Sequence, residues 1–141
     1  EGDKHGCSQV MYLDAESSTY IEELGGMNLF FVYSDGHVVT PPLDGTILHG
    51  ITRDSVITLL KDAGHLVTER KVSLEEVRKD VASGSITEVF ACGTAAEVGS
   101  VSMVDERLIP CPGPKTRAIA AAYAKAVRGQ DERYIDWYEL A

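Results

Sequence analysis

Apolar and polar positions alternate from Gln9 to Asp14, with Val10, Tyr12 and Leu13 apolar, and this predicts a short strand. A polar turn at Ala15 to Ser18 separates it from a second strand at Thr19 to Leu24, which Gly25-Gly26 interrupts. Asn28 to Tyr33 is the most strand-like run, because Phe30, Phe31, Val32 and Tyr33 suit a pleated surface. Ser34-Asp35-Gly36 predicts a hairpin turn, Val38 to Thr40 the return strand, and Pro41-Pro42 its end. Ten residues rich in turn formers, Pro42 to Ile51, precede a helix over Arg53 to Ala63. Val56, Leu59, Leu60 and Ala63 recur at helical spacing on its apolar face, with Thr52 as the expected N-cap and Gly64 closing it. Leu66 to Val72 alternates again. Ser73-Leu74-Glu75-Glu76 is a capping box that opens a second helix ending near Gly84. Ile86 to Ala91 predicts an apolar strand that runs into the small-residue turn Cys92 to Ala96. Val98 to Val104 and Arg107 to Pro110 predict a hairpin about Asp105-Glu106. A third helix over Pro114 to Arg128 places Ile119, Ala122, Tyr123, Ala126 and Val127 inward, and a polar tail carries Trp137 and Tyr138. Many strands with three helices predict an α+β fold with an antiparallel core or barrel.

A length of 141 residues is that of one domain. Hydrophobic residues at 44% and charged residues at 25% are ordinary globular values, which excludes a disordered tail, a collagen-like fibre and a coiled coil. No apolar run approaches the roughly 18 residues of a membrane span. The net charge of −9 disfavours a nucleic-acid partner, whose phosphates call for basic faces. Cys7, Cys92 and Cys111 are odd in number and contain no Cys-x-x-Cys, so neither a disulfide framework nor a zinc site is expected, and a reducing, cytoplasmic compartment is. His5, His37, His49 and His65 lack ligand spacing, and no metal site is expected. The polar start, Glu1-Gly2-Asp3-Lys4, is neither a signal peptide nor an initiating Met, and reads as the interior of a longer chain.

Three features could carry chemistry. Leu48-His49-Gly50-Ile51-Thr52 leads into a helix N-terminus, where unpaired N–H groups and the helix dipole favour an anion. Gly93-Thr94-Ala95-Ala96 ends an apolar strand in small residues suited to backbone donation to a phosphate or carboxylate. Glu22 and Glu23 share a strand, so alternation sends one carboxylate toward the core, where it needs a partner. Taken alone, each is more simply a capped helix, a tight turn or a solvated edge strand.

Taken together they carry a resemblance. Tyr20 to Phe31 (YIEELGGMNLFF), Thr40 to Asp54 (TPPLDGTILHGITRD) and Thr87 to Ala96 (TEVFACGTAA) resemble, in this order, the branched-chain amino-acid aminotransferases. These are class IV, fold-type IV enzymes that use pyridoxal phosphate. The similarity runs from about Gly6 to Trp137. It implies the family's C-terminal large domain, a barrel-like mixed sheet flanked by about three helices, over residues 1–141. It also implies that the small N-terminal domain and the segment with the Schiff-base lysine lie upstream, so no catalytic residue is assigned in this chain and Lys4 is not given that role.

By the same resemblance Glu23 matches the glutamate that pairs with the pyridine nitrogen. Gly50, Ile51 and Thr52 match the loop that holds the cofactor phosphate, and Leu48 the residue packed on the ring. Gly93 and Thr94 match the second phosphate-side turn, and Thr94 and Ala95 the backbone donors to the substrate carboxylate. His49 stands where the family usually has proline, and the cysteine pair of the mammalian members is missing after Gly93-Thr94-Ala95. The implied partners are amino acids and 2-oxo acids, with a homodimer or larger assembly, and the fragment alone is expected to be inactive. A D-amino-acid aminotransferase or aminodeoxychorismate lyase of the same fold is the alternative within the family. A non-catalytic domain that binds a phosphorylated ligand, or serves assembly, is the alternative outside it.

Overall fold

The computed structural model describes residues 8–44 and 46–137. Lys4, His5, Cys7 and Tyr138 lie outside the described residues. Nine strands and three α-helices follow one another within them: β1 (Met11–Leu13), β2 (Ile21–Leu24), β3 (Asn28–Tyr33), β4 (Val38–Thr40), α1 (Ile51–Asp62), β5 (Val67–Glu69), α2 (Leu74–Ser83), β6 (Ile86–Gly93), β7 (Glu97–Val101), β8 (Met103–Val104), β9 (Arg107–Leu108) and α3 (Pro114–Val127). A 3₁₀ segment, Glu132–Trp137, follows. The fold is α+β, as the sequence predicts.

The central sheet has the order β5-β4-β3-β6-β7. All its pairs are antiparallel except β4–β5, which α1 connects as a crossover. The unbroken apolar run of β3 follows from its central place, because both faces of this strand are covered. Leu29 and Phe31 point to one side, where β2 and α2 add Ile21, Leu24 and Val77. Phe30 and Val32 point to the other, with Val56, Leu59 and Leu60 of α1 and Ile119 and Ala126 of α3. Phe30 lies opposite Phe90 of β6, and their rings stack at 4.8 Å.

Several expectations are corrected. The sheet is open, with β5 and β7 at its edges, and does not close into a barrel. Five strands, two of them three residues long, do not supply the tilt and stagger that closure requires. The segment Val98 to Val104 is not one hairpin arm: Glu97–Val101 pairs with β6, and only Met103–Val104 turns back on Arg107–Leu108 about Asp105, whose φ is +51°. The alternation of Leu66 to Val72 shrinks to three paired residues. There β4 is the partner, and it ends at Thr40 before Pro41. Helix α1 begins two residues earlier than its apolar period suggests. Ala63 is its C-cap and exposed, and Ile57 is buried instead. In α3, Val127 faces outward rather than inward.

Candidate functional site

The start of β3, the end of β6, the end of β2 and the start of α1 meet at one end of the fold. Leu24 and Met27 exchange two backbone hydrogen bonds of 2.9 Å across Gly25-Gly26, which brings β2 directly into β3. Asn28, the first residue of β3, is opposite Cys92, so Gly93 is beside Met27. A Cβ on Gly93 would lie 3.4 Å from the Met27 Cγ. The buried Asn28 amide donates from Nδ2 to the Leu48 carbonyl at 3.1 Å and draws the loop before α1 to the same place. The loop is tied a second time where the Thr46 hydroxyl donates to Glu22. The two turns singled out from the sequence therefore converge, through Met27 and Asn28, on one end of the sheet.

The start of α1 differs from expectation. Gly50, not Thr52, is the N-cap, and no side chain caps the first turn. Thr52 is the second helical residue. It is buried, and its hydroxyl lies 3.4 Å from the Tyr123 hydroxyl of α3. The other two helices are capped by the protein itself. Ser73 Oγ accepts from the Glu76 N–H at 3.0 Å at the start of α2. At the start of α3, the buried Glu88 carboxylate accepts the Lys115 and Thr116 N–H groups at 3.0 and 2.8 Å and the Thr116 hydroxyl at 2.7 Å. An uncapped helix start leaves backbone donors and the positive end of the dipole facing outward.

Two large apolar side chains flank Gly50 in solvent: Leu48 is 63% exposed and Ile51 85%. Ile51 also borders an open cleft of about 490 Å³ between α1 and α3, lined further by Asp54, Tyr123, Val127 and Trp137. Thr94 and Ala95 are exposed at the turn after β6, and Gly93 is half-buried. Glu23 lies opposite Tyr12 in the β1–β2 pair. Both acids of β2 are half-buried, so neither is sent into the core. Among the described residues the Glu22 carboxylate has the Thr46 hydroxyl, and the Glu23 carboxylate has no hydrogen bond or ion pair.

Sequence reasoning missed Asn28, Arg53 and Tyr123. Asn28 carried a signal, as a polar residue opening a strand that is otherwise apolar. Arg53 did not, since a cation in the first turn of a helix reads as solvated. It is instead buried. One of its terminal nitrogens donates to the Pro41 carbonyl at 2.9 Å and to Glu69 of β5 at 2.7 Å, which fastens the start of α1 to the sheet. Cys92 is buried near this guanidinium. Burial pushes its thiol up to about 12 against the opposing pull of Arg53, so it is no nucleophile. Among the described residues no group of three His, Cys, Asp or Glu could hold a metal ion, and no helix is long and apolar enough to cross a membrane.

The glycine loop, the start of α1 and the small-residue turn after β6 thus lie at one end of an α+β domain. The chain belongs to the class IV amino-transferase family, whose profile matches residues 2–104. It is 55% identical over 102 residues to the branched-chain-amino-acid aminotransferase of Mycolicibacterium smegmatis, covering 70% of this chain and 28% of that protein. It is 42% identical over 140 residues to the probable branched-chain-amino-acid aminotransferase of Staphylococcus epidermidis, covering 95% of this chain and 39% of that one. Among solved structures it is similar to the branched-chain amino acid aminotransferase of Thermobaculum terrenum in its PLP form, with a TM-score of 0.84 and 32% identity over 96% of this chain and 42% of that one. It is also similar to the branched-chain aminotransferase of Thermoproteus uzoniensis with norvaline, with a TM-score of 0.83 and 36% identity over the same shares. The chain thus spans less than half the length of these relatives.

Proposed function

We propose that this chain is the cofactor-holding part of a branched-chain amino-acid aminotransferase, which moves the amino group between Leu, Ile or Val and 2-oxoglutarate. The observation that carries this reading is the start of α1. Among the described residues it is the helix start without a side-chain cap, and its loop meets the Gly93 turn across Met27 and Asn28. A dianion would fit there, because the first N–H groups and the positive end of the α1 dipole have no side-chain cap, and Thr94 and Ala95 of the other turn are exposed. Gly50, Ile51 and Thr52 would hold the phosphate of pyridoxal 5′-phosphate from one side, and Gly93 and Thr94 from the other. The exposed Leu48 would cover a face of the ring. Glu23, half-buried and without an ion-pair partner among the described residues, would hold a proton on the pyridine nitrogen. When bound, the cofactor supplies an electron sink for the carbanion formed at the substrate α-carbon. The backbone donors of Thr94 and Ala95 would receive the substrate carboxylate. The nearer relatives carry the branched-chain name, which favours that substrate group over the D-amino-acid and lyase activities of the same fold. We further propose that the working protein is a homodimer or larger, and that it acts in the cytoplasm.

The test is a titration of the ¹⁵N-labelled chain with pyridoxal 5′-phosphate, with pyridoxal and inorganic phosphate as controls. Amide shifts are expected at Gly50, Ile51 and Thr52 and at Gly93, Thr94 and Ala95, and pyridoxal without phosphate is expected to leave them unmoved. Shifts that fall elsewhere, or none at all, would sink the proposal. In the longer protein, Glu23→Gln is expected to lower leucine transamination about 100-fold, the size of effect that follows loss of one charge-stabilising group.

A further inference from the structure

We propose that Asn28 is the positioning residue of this cradle: one buried amide sets the loop before α1 against the β3–β6 end that carries Gly93. The inference rests on the proposed anion site at the start of α1. Asn28 is 5% exposed at the start of a strand whose next four residues are fully buried and apolar. A polar amide there is unfavourable unless its groups are bonded. Its Nδ2 donates to the carbonyl of Leu48, twenty residues away in the chain. Its Oδ1 lies against Gly50, so that a Cβ on Gly50 would fall onto that oxygen and stand 3.6 Å from Cγ.

Gly50 has φ −78° and ψ 125°, extended backbone open to any residue. Glycine is therefore required there by the space Asn28 takes, not by the conformation of the loop. On the other side, Asn28 is in register with Cys92, and its neighbour Met27 lies against Gly93. Two consecutive residues thus touch both turns. The peptide groups from Leu48 to Gly50 are held by the amide, and they aim the N–H groups of Ile51 and Thr52. Asparagine suits this place because it is short, uncharged and a donor. An ionised aspartate of the same shape would repel both the Leu48 carbonyl and an anion in the cradle.

The test compares Asn28→Ala, Gly50→Ala and the double variant with the parent chain by two readouts. The first is amide hydrogen exchange without ligand. Asn28→Ala is expected to raise exchange of the Asp54 amide, which donates to the Gly50 carbonyl at the end of the loop, about tenfold, the loss of one buried hydrogen bond, while residues 86–92 of the core stay protected. The second is affinity for pyridoxal 5′-phosphate and for inorganic phosphate. Each single variant is expected to bind about tenfold more weakly. The double variant is expected to bind no more weakly than Gly50→Ala alone, because the new methyl then has room. A merely structural Asn28 would give additive losses, and additivity would overturn the proposal. So would an Asn28→Ala chain with parental affinity and parental exchange at Asp54. If core protection collapses in Asn28→Ala, Gly50→Ala still decides: parental affinity in that variant overturns the proposal. A parent chain that binds neither probe overturns the anion-site reading beneath it, whereas a parent that binds and an Asn28→Ala that binds equally well overturns only the role of Asn28.

Discussion

Glu88 does for α3 what an external anion would do for α1. It is 3% exposed on β6, and its carboxylate takes two backbone N–H groups and a hydroxyl at the helix start. Gly113, the N-cap, has φ −72° and ψ 164°, so it is glycine for want of room: a Cβ there would fall onto the Glu88 carboxyl. Glu88→Ala strands three donors, two of them fully buried, and is expected to cost about 3 kcal/mol, read from urea unfolding. Gly113→Ala is expected to destabilise in the same direction. Among the described thiols, Cys111 is exposed and Cys92 buried. Iodoacetamide on the native chain is therefore expected to modify Cys111 and spare Cys92 until the protein unfolds, which peptide mass mapping would follow.

Single carboxylates also organise whole elements. Asp14 joins β1 to β2 by accepting the N–H groups of Ser17, Thr19 and Tyr20 and the Ser17 hydroxyl. These bonds, that of Tyr20 foremost, hold its carboxyl well below the usual carboxylate range. A carboxyl depressed on folding stabilises above its unfolded value and stops doing so as pH falls through the folded one. Protection of the Ser17, Thr19 and Tyr20 amides is thus expected to persist through the ordinary carboxylate range and to fail only in stronger acid. Asp14→Asn should weaken it already at neutral pH.

Across the sheet, two terminal nitrogens of Arg70 donate to Glu76 of α2 at 2.6 and 3.1 Å, and the Tyr33 hydroxyl donates to the same carboxylate at 3.0 Å. The Arg70 hydrogen bonds, above all, hold Glu76 below its usual value. Burial, then the Glu76 hydrogen bond, pushes the Tyr33 phenol above the usual tyrosine range. The sign is opposite to that of Asp14. The neutral phenol supports β3–α2 packing below the usual tyrosine value, and this support fades as pH rises through the folded one. A Tyr33→Phe difference spectrum is expected to show phenolate only in stronger alkali, and Glu76→Gln to bring its onset down.

At the scale of the molecule, exposed apolar side chains flank the start of α1, as others do elsewhere on the described surface. Leu48 and Ile51 project beside Gly50, and Trp137 and Val127 stand across the cleft. Exposed apolar patches of this kind mark surfaces that are covered in use. The chain in isolation is expected to self-associate, with a mass by light scattering that rises with concentration. Leu48→Ser with Ile51→Ser is expected to hold it closer to monomer. A parent chain monodisperse as monomer across the same range would contradict this.

Periodicity and local chemistry were legible along the chain. The double-sided burial of β3, the apolar face of α1 and the Ser73 cap of α2 depend on residues within a few positions of one another, and three short motifs were enough to bring out the resemblance. The start of α1 was misplaced because Thr52 has the chemistry of a cap, while its hydroxyl lies near Tyr123, seventy-one residues on. The cap of α3 was invisible for the same reason, since three strands and two hairpin turns separate Glu88 from that helix. An open sheet cannot be told from a closed one by alternation, which records only which residues face inward. Sequence determined the main elements, the order of the motifs and the small, turn-forming residues of the loop before α1. Tertiary structure alone decided which helix start was left without a cap and which buried amide would aim it, because hydrogen bonds between residues far apart in the chain leave no period in the sequence.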